Sequence, residues 1–234
     1  MSNSGTCIRD NYDMTSGELF FHLYIAAPII RALFALMWMT GILTVKVNGV
    51  ILFYKGRKYG EFREYVLKDI KWGNVYIVAA NHENRFHTIV AAWIADNLGL
   101  FTRKVVKDKY YKNKYLAKIL FMTGSFPIDI SKRTGDRKAL QYGTNILKCG
   151  GDLLIFPEGT RGGQEIFDGA AYFAEKVRDK AMVLPIRISQ QGYRIDIDMD
   201  NPFDLTQFSE NRKECISQLS DKLASFFNKN KHIQ

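Results

Sequence analysis

The sequence contains little cysteine and little histidine: three and four residues, respectively, out of 234. Cys7, Cys149 and Cys215 stand far apart and form no CxxC pair, so neither a zinc site nor a disulfide framework is indicated. This pattern favours a reducing compartment with the chain facing the cytoplasm. The sequence also lacks internal repeats, low-complexity tracts and long linkers. Its length therefore suits one domain with a short attached element.

Acidic residues are fewer than basic ones. The 24 Asp and Glu against 33 Lys and Arg give a formal net charge of +9. Such a surplus indicates anionic partners, which include phosphate-bearing substrates, acidic lipid headgroups and nucleic acid. A hydrophobic content of 47% and an aromatic content of 13% exclude a disordered chain.

The polar residues 1–17 lack the basic region that begins a signal peptide. An apolar segment follows, "LFFHLYIAAPIIRALFALMWMTGILTV", and Pro28 and Arg31 interrupt it. The segment exceeds the ~20 residues that a membrane span needs, but a charge near mid-bilayer costs about 3 kcal/mol or more. We therefore expect a helix or helix pair lying in one leaflet, with Arg31 reaching the headgroups. A single tilted span is the alternative.

After this segment, short apolar runs alternate with helical patterns. The alternation predicts an α/β domain with a mostly parallel or mixed sheet flanked by helices. We assign residues 1–43 to the membrane-associated element and residues 44–234 to the α/β domain. The main predicted strands are Thr44–Phe53, Val75–Ala80 and the runs that begin "TRKVV", "FPIDI", "DLLIF" and "AMVLP". The predicted helices are Thr88–Gly99, a basic, aromatic-rich one after "TRKVV", Lys138–Cys149, Gly169–Lys180 and an amphipathic C-terminal one that packs on the domain.

Two polar stretches follow predicted strands and carry groups suited to catalysis. In "NHENRFH", His82 stands just past Val75–Ala80, where a general base meets substrates in α/β proteins. In "FPEGTR", Gly159 permits a close approach, and Glu158 and Arg161 offer opposite charges. Each stretch alone has a structural explanation, since a lone histidine is often structural and FPEGTR suits a surface turn.

A metal site is not expected. "HENRFH" is one residue longer than the zinc-protease pattern HExxH, and positions i and i+5 of a helix face apart. No third histidine or cysteine lies nearby in the sequence.

Together, four ordered blocks resemble the 1-acylglycerol-3-phosphate acyltransferase family, which comprises lysophospholipid and glycerophosphate acyltransferases. "NHENRFH" is similar to the family's NH-x4-D block, "GSFPIDI" to its G-x-x-x-I-D-R block, "FPEGTR" to its third block and "VLPIRI" to its fourth. The resemblance covers about residues 40–190 and extends to the apolar segment. The first and third blocks in this order are specific, whereas the other two are weak alone.

The resemblance implies an O-acyltransferase that moves a fatty acyl group to the free hydroxyl of lysophosphatidic acid, giving phosphatidic acid. The donor is acyl-CoA or an acyl carrier protein, and no cofactor is bound. His82 is the implied general base, at an anionic membrane surface and on the cytoplasmic side. A nucleic-acid partner does not suit the apolar segment. The implied residues that bind the acceptor's phosphate or shape its pocket are Lys107, Arg133, Glu158, Gly159, Thr160 and Arg161.

Two positions depart from the family pattern. His87 stands where the family has its aspartate, and Ile130 where the second block has its arginine. A neutral His87 can accept a hydrogen bond from His82 but supplies no negative charge. Three hypotheses follow: the implied enzyme with reduced activity, an acyltransferase for another lysolipid or glycerol 3-phosphate, or a catalytically impaired lipid-binding relative.

Overall fold

The computed structural model describes residues 25, 27–40, 43–47, 50–54, 57–58, 73–82, 84–100, 102–129, 136–159, 166–191 and 194–228. Within these ranges, nine strands form one sheet. The strands are β1 (Leu43–Val47), β2 (Val50–Tyr54), β3 (Arg57–Lys58), β4 (Val75–Ala80), β5 (Thr102–Lys107), β6 (Ser125–Ile128), β7 (Asp152–Ile155), β8 (Ala181–Gln191) and β9 (Arg194–Met199).

Helices connect and cover these strands. The α-helices are α1 (Ala27–Met39), α2 (Arg85–Asn97), α3 (Lys114–Met122), α4 (Arg137–Lys148), α5 (Gly169–Lys176) and α6 (Arg212–Asn228). A short 3-10 helix, Asp108–Lys112, joins β5 to α3.

The centre of the sheet consists of five parallel strands in the order β8-β4-β7-β5-β6. Ile77 of β4 lies opposite Leu153 of β7 on one side and Val183 of β8 on the other. All six residues of β4 are buried, as a strand covered on both faces requires. β9 pairs antiparallel with β8, and β1 to β3 extend that edge, so the sheet is mixed.

Helices pack on both faces of the sheet, which confirms the predicted α/β class. On one face, Val90 and Ile94 of α2 join the core with strand residues such as Leu184. On the other face, α4, α5 and α6 contribute Leu147, Phe173 and Leu219 to a second core. The C-terminal helix buries its apolar side and therefore packs on the domain as predicted.

Two predicted elements are wrong in detail. Thr44–Phe53 is not one strand but the antiparallel pair β1 and β2, with Val47 opposite Val50. The sequence between them is Asn-Gly, the pair that favours a hairpin turn. The helix predicted over Gly169–Lys180 ends at Lys176, because Val177 leaves the helical region at φ −130° and ψ 36°.

Cys215 is a free, buried cysteine in the second core, and Cys7 lies outside the described residues.

Helix α1 is the part of the predicted apolar element that the structure describes, and residues 1–24 lie outside the described ranges. Arg31 of α1 forms a 2.7 Å ion pair with Asp96 of α2, a contact that the sequence did not predict. Arg31 remains more than half exposed, and its partner ties the helix to the domain. Among the described residues, no helix combines the length and apolar character needed to cross a membrane.

Candidate active site

Asn81 fixes the end of β4, immediately before His82. Its side-chain Nδ2 donates to the carbonyl of Ile188 at 2.8 Å, and its Oδ1 accepts from the N–H of Ile188 at 2.6 Å. Its own N–H donates to the carbonyl of Ile186 at 3.3 Å. These bonds continue the β4–β8 pairing beyond the last strand residue. Because Asn81 is buried, the backbone that carries His82 is held firmly in place.

His82 is joined to the turn that follows β7. Its backbone N–H donates to Oε2 of Glu158 at 2.9 Å, and Glu158 is only 4% exposed. The imidazole also packs on the ring of Phe156, with centroids 4.8 Å apart and planes at 40°. Because β4 and β7 are parallel neighbours, their carboxyl ends bring the two turns together at one edge of the sheet.

Gly159 closes the turn after β7. Its φ of +59° lies in the left-handed region, and its N–H donates to the carbonyl of Phe156 at 2.9 Å. A Cβ at this position would stand 3.0 Å from the Phe167 ring. Phe167 is held there by its N–H, which donates to the carbonyl of Pro157 at 2.8 Å. Both the backbone conformation and the close ring therefore require glycine.

Asn84 begins α2 and positions His87. Its Oδ1 accepts hydrogen bonds from the N–H groups of Phe86 at 2.9 Å and His87 at 3.2 Å, the usual role of an N-cap asparagine. Its Nδ2 donates to Oε1 of Gln190 at 2.8 Å, which ties the start of the helix to β8. His87 thus stands in the first turn of α2 and is 1% exposed.

His87 is a neutral side chain near neutral pH. Its pKa falls from an ordinary 6.5 to about 4, mainly because burial disfavours the imidazolium and secondly because of the charge of His82. Nδ1 of His82 and Nε2 of His87 are both buried. Position 87 is therefore occupied by a buried, uncharged imidazole ring.

The structure brings together four of the predicted site residues: His82, His87, Glu158 and Gly159. Lys107 is the last residue of β5, the strand beside β7, so its backbone lies at the same carboxyl edge. Arg133, Thr160 and Arg161 lie outside the described residues, as does Ile130 of the second block.

Sequence reasoning missed three residues that build the site. Asn81 and Asn84 stand in the NHENRFH stretch and hold its two ends, and Phe156 opens FPEGTR and packs on His82. The available signals were an asparagine directly after a predicted strand, at position 81, and an asparagine just before a predicted helix, at position 84. His82 precedes α2 and does not lie on it, so the spacing argument against a helical metal site does not apply to this geometry. In the described part of the chain, no three His, Cys, Asp or Glu side chains are grouped to hold a metal ion.

His82 and the buried Glu158 meet at the carboxyl edge of a parallel sheet, which is where ligands bind in open α/β proteins. The family model described as Acyltransferase matches residues 61–189, more than half of the chain. The chain belongs to this acyltransferase family.

A curated relative and a solved structure resemble the chain. The 1-acyl-sn-glycerol-3-phosphate acyltransferase of Streptococcus pneumoniae (strain ATCC BAA-255 / R6) is 24% identical over 163 residues, which are 65% of this chain. The match spans 59% of that relative's length. The crystal structure of the 1-acyl-sn-glycerophosphate (LPA) acyltransferase PlsC from Thermotoga maritima covers 88% of this chain and 80% of its own, with a TM-score of 0.55. At 16% identity, this likeness establishes the shared fold.

Proposed function

We propose that this protein transfers a fatty acyl group from an acyl thioester to the free hydroxyl of lysophosphatidic acid, giving phosphatidic acid. The observation that carries the proposal is the bond between His82 and Glu158. This bond joins a histidine to the turn Pro157–Gly159 at one edge of the sheet. The names of both similar proteins include this reaction's acceptor.

In the proposed reaction, His82 takes the proton of the acceptor hydroxyl as its oxygen attacks the thioester carbonyl carbon. Because Nδ1 of His82 is buried, Nε2 is the atom that faces the acceptor. The tetrahedral intermediate expels the thiolate as the C–S bond breaks, and the proton passes from His82 to the sulfur. The products are the diacyl lipid and a free thiol, from either coenzyme A or an acyl carrier protein.

The acceptor's phosphate is assigned to basic residues near the same edge. Arg161 stands two residues after Gly159 in the sequence and has the guanidinium fork that suits a phosphate, and Lys107 ends the strand beside β7. Arg133 is the third proposed contact. Glu158, Gly159 and Thr160 shape the turn that presents Arg161. The net charge of +9 favours such anionic substrates.

Helix α1 supports a membrane location for the reaction. Ile29, Leu33 and Leu36 recur at i, i+4 and i+7, and they are 64%, 41% and 55% exposed. A helix with this outer stripe buries apolar area when it lies in the plane of one leaflet. We propose that α1 rests on an anionic membrane with the active site on the cytoplasmic side, where a lipid acceptor reaches His82 without leaving the bilayer.

A second candidate function rests on His87. A buried neutral ring in the place of a carboxylate does not stabilise a positively charged His82. The same geometry therefore also suits a relative that binds lipid or acyl donor with little turnover. Other lysolipids and glycerol 3-phosphate are the remaining acceptor candidates.

The proposal is tested by release of free thiol from an acyl-CoA and from an acyl carrier protein, with the purified full chain. Lysophosphatidic acid, another lysolipid and glycerol 3-phosphate are offered in turn, and an assay without acceptor gives the background hydrolysis. We expect lysophosphatidic acid to raise thiol release and to yield phosphatidic acid. Thiol release equal to the background with every acceptor, together with saturable lipid binding, would favour the second candidate.

A further inference from the structure

Helix α3 has an unusually exposed apolar face. None of its nine residues is buried. Tyr115 is 71% exposed, Ile119 51% and Leu116 37%. Positions 115, 116 and 119 share one side of the helix, because residues three and four apart are neighbours on a helix surface. Three large apolar side chains thus face outward together, and grouped exposed apolar residues are the kind of surface at which proteins contact partners or membranes.

Lysines border this face. Lys114 and Lys118 are exposed and lie one turn apart along its edge. The Nζ of Lys114 stands 5.0 Å from the centroid of the Tyr115 ring. Two more exposed lysines, Lys109 and Lys112, lie in the preceding 3-10 helix, where Asp108 is the acidic residue. The surface therefore combines an aromatic ring, aliphatic side chains and several positive charges.

The position of α3 relates this surface to the candidate site. β5 ends at Lys107 on the carboxyl edge of the parallel sheet, and the 3-10 helix leads from there into α3. Asn113 caps α3 by accepting from the N–H groups of Tyr115 and Leu116 at 3.0 and 3.2 Å. The start of the helix therefore follows, after the five residues of the 3-10 helix, the carboxyl edge at which His82 and Glu158 meet.

We propose that the α3 face, formed by Lys114, Tyr115, Leu116, Lys118 and Ile119, docks on the surface of an anionic lipid bilayer. The apolar side chains enter the boundary between headgroups and acyl chains, and the tyrosine takes the interfacial position that aromatic rings favour. The lysines lie against lipid phosphates, with their stems along the apolar surface. This contact is separate from α1 and from acyl transfer, and it orients the carboxyl edge of the sheet toward the membrane.

Vesicle binding by variants of the full chain tests the proposal. Lys114→Glu with Lys118→Glu changes the charge of the face, and Lys138→Glu with Lys148→Glu makes the same change at exposed positions of α4. With vesicles of phosphatidylglycerol and phosphatidylcholine, we expect the α3 pair to weaken binding about fivefold or more per lysine, at low salt. The α4 pair should weaken it less than about twofold. Equal weakening by both pairs would overturn the proposal, because net charge alone would then explain binding.

Hydrogen–deuterium exchange of the unaltered chain gives a second measurement, which does not depend on turnover. Anionic vesicles should slow exchange across residues 108–122 more than vesicles of phosphatidylcholine alone do. Unchanged exchange there, with the protein bound, would show that α1 carries all the contact and would overturn the proposal. Slowing by an acidic carrier protein or by self-association, and not by vesicles, would also overturn it and assign the face to protein docking.

Discussion

The backbone N–H of His82 donates to the carboxylate of Glu158 at 2.9 Å, and this bond joins two turns that are 76 residues apart in the sequence. Because Glu158 is buried, water does not compete for the bond. The carboxylate therefore sets the point from which the His82 side chain extends. The glutamate of FPEGTR has a structural task in addition to any task in the substrate pocket.

Replacing Glu158 tests this task. Glu158→Ala removes the acceptor of the His82 N–H, so we expect a loss of about 1–3 kcal/mol in the free energy of unfolding. Glu158→Gln keeps an acceptor oxygen in the same place, so its free energy of unfolding should fall less than that of Glu158→Ala. Urea denaturation of both variants is the measurement. Equal losses would show that the charge of the carboxylate matters more than its hydrogen bond to His82.

Gly159→Ala should destabilise the turn after β7. The left-handed φ of +59° costs an L-residue about 1–2 kcal/mol, and the new Cβ would stand 3.0 Å from the Phe167 ring. Gly169→Ala is the matched control, because its Cβ meets nothing within 4 Å at the start of α5. Thermal unfolding should show a lower melting temperature for Gly159→Ala and an unchanged one for Gly169→Ala. A double variant, Gly159→Ala with Phe167→Ala, should recover the part of the lost stability that comes from contact between the new Cβ and the Phe167 ring.

The stability of the protein should depend on His87 between pH 6.5 and 4. The pKa of His87 is lowered to about 4 in the folded protein, so in this window the unfolded chain binds a proton that the folded chain does not. The contribution of His87 to the free energy of unfolding is therefore fully present above pH 6.5, and it is lost as the pH falls from there through 4. The free energy of unfolding, measured by urea denaturation across this range, should fall less steeply in His87→Gln. Identical slopes for both proteins would contradict the lowered pKa.

A carboxylate at position 87 should raise activity. An aspartate there would favour the charged form of His82 during the reaction. In serine proteases, neutralising the corresponding aspartate lowers kcat by roughly 10⁴, which sets an upper bound for the gain. We expect His87→Asp to increase acyl transfer by about tenfold or more, and His87→Asn, with a similar shape and no charge, to give no increase. The measurement is the rate of thiol release across pH. No gain at any pH would argue against a catalytic pair formed by His82 and the residue at position 87.

Much of the sheet was predictable because central parallel strands are buried on both faces and read as continuous apolar runs. Val75–Ala80 was predicted with its observed bounds for this reason. The pair β1 and β2 was missed because two short apolar runs with Asn-Gly between them were treated as one. The apolar runs alone do not reveal the turn, whereas the Asn-Gly pair between them favours a hairpin.

The candidate site was predictable in part. Two polar stretches that follow parallel strands meet at the same edge, so the nearness of His82 and Glu158 was implied once the sheet was assumed. The bonds of Asn81 to Ile188 span 107 residues and depend on the exact register of β4 against β8. Likewise, the sequence shows that position 87 is histidine but not that burial keeps it neutral. Strand register and burial depend on how the whole chain packs, so the local sequence does not reveal them.

The most direct test of the account is the rate of thiol release by His82→Ala, with acyl thioester and lysophosphatidic acid at saturating concentrations. The variant should unfold in urea at nearly the same midpoint as the unaltered chain, since the bond to Glu158 uses the backbone of His82. We expect a rate lower by about 10² or more, the usual contribution of a general base. A rate equal to that of the unaltered chain would contradict the assignment of His82 as the base.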